Sequence, residues 1–339
     1  MIWYNYLMLP ILIISLIFFI LNIGYIIFNA PNFLYPMTTF IFFIIFVYKY
    51  IVSIQNQEER MTEEINHNFV QNLPKQRLLN ELKMAKRVQQ ALLLVESPNI
   101  NGINIAKKCI PADNIGGDFY SFICKDFDQM SAQHRSPGIV KYIQSENKYL
   151  GVVIGDVAGH GVSSALIMAL SAGLFSEIGK RHYSPKKVLE AANRDLMRYI
   201  ENSQVTHVTA FYGVLNVNTN EFHYSRAGHP NTLLQKNTND IIELESNGTF
   251  LGMFDNIQFE ENSIQLNKGD RLYFYTDGIT EAKGPNGDLF GDERLKDSIQ
   301  KLKHEPIGTV LHQLFEEVDL YTQYQKATDD RSVVILELG

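Results

Sequence analysis

The chain opens on two apolar runs, Leu7 to Phe28 and Phe33 to Ile54, in which Lys49 is the only charged residue. Each approaches the ~20 residues needed to cross a bilayer, and Asn29-Ala30-Pro31-Asn32 makes a tight turn between them. The first run has neither a positively charged start nor a small-residue cleavage site close behind it, so the pattern predicts a retained helical hairpin rather than a removed signal peptide. Residues 56–98 are rich in Glu, Gln, Lys and Leu, and Pro74 is expected to divide them. After Pro74, the positions Leu78, Leu82, Ala85, Gln89 and Leu92 alternate between spacings of four and three, a short a/d seam. Two readings fit this stretch. In one it is a dimeric signalling stalk with Gln89 setting the register; in the other it is an amphipathic helix lying on its own domain.

From Asn99 the pattern changes to short apolar runs bounded by turn residues. Strands are predicted at Ile103 to Ile110, Phe119 to Cys124 and Gly151 to Gly155, with a buried helix from Ser163 to Lys180. Ser184 is a good N-cap and Pro185 suits the first helical position, so a second helix follows through Val188, Leu189, Ala192, Leu196 and Ile200. Strands resume at Val208 to Val217 and Glu221 to Ala227, joined by a hairpin turn at Asn218-Thr219-Asn220. Thr232 to Gln235, Ile241 to Leu244, Ser263 to Leu266, Arg271 to Thr276 and Ser332 to Leu338 complete the set. Cys124 to Leu150 is too long for an ordinary hairpin connection and reads as a surface insertion or, alternatively, a flap.

Composition alters the picture in one respect. The 45% hydrophobic content looks ordinary, yet no Asp, Glu, Lys or Arg precedes Lys49, so the net charge of -7 belongs entirely to the rest of the chain. Lys49, Arg60, Lys75 and Arg77 lie at or after the end of the second run, which places the C-terminal part in the cytoplasm by the positive-inside rule. Trp3, Tyr4, Tyr6, Tyr48 and Tyr50 fit interfacial belts. The acidic balance, without a long basic run, argues against a nucleic-acid partner. Cys109 and Cys124 are too few for a disulfide framework or a thiolate zinc site and read as structural.

The candidate chemistry lies in carboxylates at strand ends. Gly151-Val152-Val153-Ile154-Gly155 delivers Asp156 and then breaks into Val157-Ala158-Gly159-His160-Gly161. An ionised Asp at the exit of a buried strand costs several kcal/mol unless a cation, donors or a titration partner meets it. Asp118 follows Gly116-Gly117, Asp277 follows the run Arg271 to Thr276, and Asp329-Asp330 precedes the last strand. Singly, each reads as a turn or capping residue. Together they form a set of hard oxygen donors suited to Mg²⁺ or Mn²⁺, and no His/Cys cluster points to zinc. A nucleotide cyclase built on Gly116-Gly117-Asp118 would want a second acid next, where Phe119 stands, and would leave Asp156, Asp277 and Asp329 without a role.

Five motifs occur in the order of a known family: Gly116-Gly117-Asp118-Phe119-Tyr120, Gly155-Asp156-Val157-Ala158-Gly159-His160-Gly161, Arg226-Ala227-Gly228-His229-Pro230, Tyr275-Thr276-Asp277-Gly278-Ile279-Thr280-Glu281-Ala282 and Asp329-Asp330. From about Asn99 to Gly339 the chain resembles the metal-dependent (PPM) serine/threonine phosphatases, in the bacterial branch of the stage II sporulation phosphatase and the sigma-factor-regulating phosphatases. The stretch Leu82 to Leu93 also looks like the helix that precedes the domain in that branch.

The resemblance implies an α+β fold, an α-β-β-α sandwich of two antiparallel sheets flanked by helices, here preceded by two transmembrane helices and a helical linker. The expected division is 1–55 membrane hairpin, 56–98 linker and 99–339 phosphatase domain. It further implies two Mn²⁺ or Mg²⁺ ions. Asp156 would bridge them, the Val157 carbonyl and Asp118 would serve one, and Asp277 and Asp329 the other, with Asp330 the less certain ligand of the pair. His160 would either protonate the leaving group or fix the Gly159 to Gly161 turn, and His229 is structural. Three departures from the family pattern stand out: Ser121 where an Asp is usual, the long connection from Cys124 to Leu150, and Leu92-Leu93-Leu94 in place of Leu-Leu-Pro.

The expectation is therefore a multi-pass protein of the cytoplasmic membrane that hydrolyses phosphoserine or phosphothreonine on a cytoplasmic regulatory protein. By resemblance that substrate is a phosphorylated anti-sigma-factor antagonist or similar domain, and the linker helix forms a homodimer. The competing expectation is a catalytically weak or inactive signalling adaptor, with Ser121 as its first sign.

Overall fold

Val-, Ile- and Phe-rich runs become strands because each is covered on both faces, which is why they read as nearly continuous apolar segments. The computed structural model describes residues 34–93, 97–125, 149–201 and 203–339, with parts of a helical segment between 13 and 24. It divides into two compact units, Met1–Leu79 and Asn80–Gly339.

In the second unit one sheet holds β1 (Ile103–Ile110), β10 (Arg331–Leu338), β9 (Arg271–Tyr275), β6 (Thr232–Gln235) and β7 (Ile241–Leu244), in that order. The other holds β2 (Phe119–Lys125), β3 (Tyr149–Val157), β4 (Val208–Asn216), β5 (Glu221–Ala227) and β8 (Asn262–Gln265). Neighbouring strands pair antiparallel throughout. Between the sheets, Leu150, Val152 and Ile154 of β3 and Phe211 of β4 meet Leu272 and Phe274 of β9 and Val334 and Leu336 of β10.

The alternate residues face outward and are covered by helices. On the β3 side, Val153 and Val157 pack under α2 (Val162–Arg181) and α3 (Pro185–Ile200), through Met168, Phe175, Leu189 and Leu196. The Ser184 side chain accepts from Lys187 N, as its N-cap position requires. On the β9 side, Tyr273, Val333 and Ile335 pack under α5 (Gly291–Lys301) and α6 (Ile307–Tyr321), through Leu295, Ile299, Leu314 and Phe315. A single turn, α4 (Asp277–Thr280), follows β9. These layers make the expected α-β-β-α sandwich.

The linker departs from expectation at Pro74. The helix α1 (Leu34–Leu93) runs unbroken through it. Proline removes one helical hydrogen bond, and the Gln, Lys, Leu and Glu residues around it are strong enough helix formers to carry the helix past the gap.

Among the described residues, Phe40–Glu64 within α1 and Val162–Arg181 are long and apolar enough to cross a membrane. The latter is α2, whose Met168 and Phe175 are core residues of the sandwich. In the first unit, Phe40, Phe42, Ile44 and Ile51 are exposed. Phe19, in the segment between 13 and 24, stacks on Phe40 and Phe43 with ring centroids 5.4 and 5.8 Å apart. Most of the expected first span, the turn Asn29 to Asn32 and residues 126–148 of the long connection lie outside the described residues.

Candidate metal centre

The register of the two sheets brings the acids together. Phe119 pairs with Gly155, so Asp118 just before β2 lies level with Asp156 near the end of β3. In the facing sheet Val333 pairs with Tyr275, which sets Asp277, one residue beyond Thr276, beside the start of β10 and the preceding Asp329-Asp330. A bond between the sheets locks this end: Thr276 Oγ1 donates to Asp118 Oδ2 at 2.8 Å and accepts from Ser332 N at 2.9 Å.

The electrostatics are those of crowded anions. Burial pushes Asp118 well above the usual carboxylate range, and the charges of Asp156 and Asp330 push it further. Asp156 is raised to about 7, first by burial and then by Asp277, Asp329 and Asp330. Burial also raises Asp277, with Glu281 adding to it. For Asp329, burial raises and the Asp330 N–H opposes, while Asp277 and Asp330 add repulsion.

Asp329 and Asp330 are placed differently. Asp330 Oδ1 accepts from Ala112 N at 2.8 Å, and its Oδ2 accepts from Gly117 N at 2.5 Å and Asp118 N at 3.4 Å. Its carboxylate thus clamps the Gly116-Gly117-Asp118 turn. Asp329 is the more exposed of the two, and its Oδ1 accepts from Asp330 N at 2.8 Å.

Gln89 secures the same turn from α1. It is buried; its Nε2 donates to Gly116 O at 2.6 Å, and its Oε1 accepts from Gly116 N at 3.1 Å. This end of the helix lies on its own domain, so Gln89 serves the site's backbone and not a coiled-coil register.

Two tight approaches show why the turn needs glycine. A Cβ on Gly116 would stand 2.0 Å from Asp330 Oδ2, and one on Gly117 would stand 2.7 Å from Val157 O and 2.9 Å from Asp156 Oδ1. The missing Cβ on Gly117 therefore leaves a space faced by a carbonyl and a carboxylate. Among the described residues, no group of three or more His, Cys, Asp or Glu side chains stands in ready ligating geometry. The donor chemistry nevertheless fits hard divalent cations: several acids of raised pKa, one backbone oxygen and a cradle kept open by glycine.

His160 is exposed and lies near Asp113 and Asp329. His229 is buried and held down at about 3, chiefly by burial, so it is neutral. It pairs through Nδ1 with Thr209 Oγ1 at 2.9 Å. Thr209 Oγ1 also reaches Asp156 O at 3.3 Å, which makes the histidine a support behind β3. Ser121 is buried in β2 opposite Val153. Cys109 is pushed up to about 12, mainly by burial, and is no nucleophile.

Sequence reasoning passed over Thr276, whose position between an apolar strand and Asp277 was the available signal. It also passed over the clamping role of Asp330 and the contact of Gln89, neither of which has a signature at the level of spacing.

The sequence model of the family described as Stage II sporulation protein E (SpoIIE) matches residues 146–339. The phosphoserine phosphatase RsbU of Bacillus subtilis is 26% identical over 265 residues, covering 77% of this chain and 71% of RsbU. The phosphoserine phosphatase RsbP of the same organism is 28% identical over 240 residues, covering 69% of this chain and 53% of RsbP. Among solved structures, the SiaA-PP2C domain of Pseudomonas aeruginosa superposes with a TM-score of 0.63 at 18% identity, over 79% of this chain and all of that one. That last likeness is one of fold.

Proposed function

The chain belongs to the stage II sporulation protein E family, and on that premise we propose that it is a metal-dependent phosphatase of phosphoserine or phosphothreonine on a cytoplasmic regulatory protein. The observation that carries the reading is the gathering of Asp118, Asp156, Asp277 and Asp329 at one end of the two sheets, where burial and the charges of Asp277, Asp329 and Asp330 raise Asp156. Such mutual repulsion is relieved by cations.

In this reading Asp118, Asp156 and the Val157 carbonyl would hold one Mn²⁺ or Mg²⁺ ion, and Asp156, Asp277 and Asp329 a second. Ions bound there would activate water for in-line attack and set positive charge against the phosphoryl oxygens. The chain's own part is to keep those oxygens in place. Asp330 and Gln89 hold the Gly116-Gly117 turn against the acids, and Thr276 holds Asp118 across the sheets.

His160, exposed beside Asp329, protonates the leaving seryl oxygen. Its other available role is to shape the Gly159–Gly161 turn, where both glycines have positive φ, 96° and 86°. A His160→Asn variant separates the two. Loss confined to phosphoserine, with an aryl phosphate of good leaving group spared, indicates the acid role; equal loss on both indicates the turn.

The exposed apolar surface of Phe40–Glu64 supports membrane anchoring, with the domain on the cytoplasmic side. Val88 and Leu92 are exposed on α1 and give a second copy of the helix a surface to pair with. By family resemblance, the substrate is a phosphorylated anti-sigma-factor antagonist or similar small signalling domain. Phosphoproteomic comparison of a deletion strain with one carrying Asp277→Asn tests this. One regulatory phosphoserine should accumulate equally in both strains, whereas accumulation in the deletion strain alone would mean scaffolding instead of turnover.

A further inference from the structure

A small cavity shares Asp329 with the candidate metal centre. It measures about 50 Å³, and among the residues lining it are Gly278, Lys283, Lys326, Thr328, Asp329 and Arg331. Three of these carry positive charge. If Asp329 is committed to cations on its other side, the chemistry left in the cavity is cationic.

The three cations are engaged to different degrees. Arg331 is buried; its Nη1 bonds Asp319 Oδ1 at 2.7 Å, but its Nε is buried with no hydrogen-bond partner among the described residues. An unsatisfied buried donor costs ~1–3 kcal/mol, so Arg331 keeps unused hydrogen-bonding capacity behind the cavity wall. Lys326 pairs with Asp113 at 2.5 Å, and both side chains are largely exposed. Exposed pairs of this kind contribute only ~0–1 kcal/mol, so Lys326 is free to turn toward a better partner. Lys283 is exposed and makes no ion pair among the described residues.

Size selects the ligand. An ordered water needs roughly 10–15 Å³ on the same measure, so the cavity of about 50 Å³ takes a carboxylate with its adjoining methylene but no aromatic ring. We propose that this cavity is a specificity subsite for an acidic side chain of the phosphoprotein, an Asp or Glu near the phosphoserine, recognised by Lys283, Lys326 and Arg331. The subsite rests on the phosphatase reading above. A substrate whose phosphoryl group lies at Asp156 and Asp329 brings its neighbouring residues past Asp329 and so into reach of the cavity.

The test uses the full, metal-loaded chain and phosphoserine peptides in a neutral host. One Glu is walked through roughly four residues on either side of the phosphoserine, each step moving it ~3.3–3.6 Å. The readout is kcat/KM for each peptide divided by that for the Glu-free host, so a general loss of activity cancels. One register should be preferred by about tenfold, the worth of a charge-assisted contact of about 1.4 kcal/mol. The charge reversals Lys283→Glu and Lys326→Glu, both on exposed side chains, should each remove most of that preference. No preferred register, or a preference that survives both reversals, overturns the subsite and leaves the phosphatase reading intact. Failure of the wild-type chain to hydrolyse any peptide, the host included, overturns both.

Discussion

Gln89 and Gly116 exchange two hydrogen bonds, one at 2.6 Å from the amide to the carbonyl and one at 3.1 Å from the backbone N–H to the amide oxygen. The side chain pairs both backbone groups of one residue, as a neighbouring strand would. Because Gly117 N and Asp118 N bond Asp330 from the same turn, the last turns of α1 and the start of β10 hold it from two directions.

Gln89→Leu removes both bonds and leaves the Gly116 donor and acceptor unpaired. Each such loss costs ~1–3 kcal/mol, so denaturant unfolding of the metal-free chain should register about 2–6 kcal/mol less stability. Gln89→Glu retains an acceptor for Gly116 N and should recover part of the loss. A Gln89→Leu chain of undiminished stability would mean that the turn stands without its helix.

Thr276→Val keeps the side-chain volume and removes the hydroxyl that joins Asp118 to Ser332 N. Groups that orient ligands in this way typically govern 10–100-fold in metal affinity, and a loss of about that size is expected. Isothermal titration with Mn²⁺ measures it. Unchanged affinity would place Asp118 outside the metal's influence.

The stability of the metal-free protein should fall as pH rises. Asp156 is held at about 7 in the folded chain, against an ordinary value of 3.8. Below about pH 4 both states are protonated and nothing is lost. Between about 4 and 7 the unfolded chain ionises first, so folding weakens, by up to ~4 kcal/mol from this group, and the effect levels off above its folded value. Asp118, Asp277 and Asp329 are raised too and act in the same direction. Denaturation midpoints in chelator across this window should drop, and Mn²⁺ should abolish the drop. Midpoints that climb with pH in chelator would contradict the crowding of these acids.

Interactions of short range are written locally in the chain, and those of long range are not. Local rules sufficed for β1 at Ile103–Ile110, β5 at Glu221–Ala227 and the Ser184 cap of α3, because a bounded apolar run or a capping oxygen acts within a few residues. The acids at strand ends were legible for the same reason. Periodicity shows which face of a helix is apolar but not what covers it, so Gln89 could be read as a coiled-coil residue until Gly116 was found beside it. Asp329 and Asp330 are adjacent in sequence and separated in role only by N–H groups more than two hundred residues away in the chain, the span from Gly117 being 213. Helices α5 and α6 had no predicted counterpart, although Phe315 and Leu314 cover the outer face of β9 and β10.

The central claim is that Asp156, Asp277 and their neighbours hold divalent cations that drive phosphoester hydrolysis. Its most direct test is the rate of phosphoserine-peptide hydrolysis by the full chain, titrated with Mn²⁺ after chelation, in wild type and in Asp277→Asn. Loss of a metal carboxylate removes several kcal/mol of transition-state stabilisation, so the variant should be slower by at least ~100-fold. Wild-type turnover should vanish in chelator and return with Mn²⁺ or Mg²⁺. Turnover that persists in chelator, or full activity in Asp277→Asn, would contradict the account.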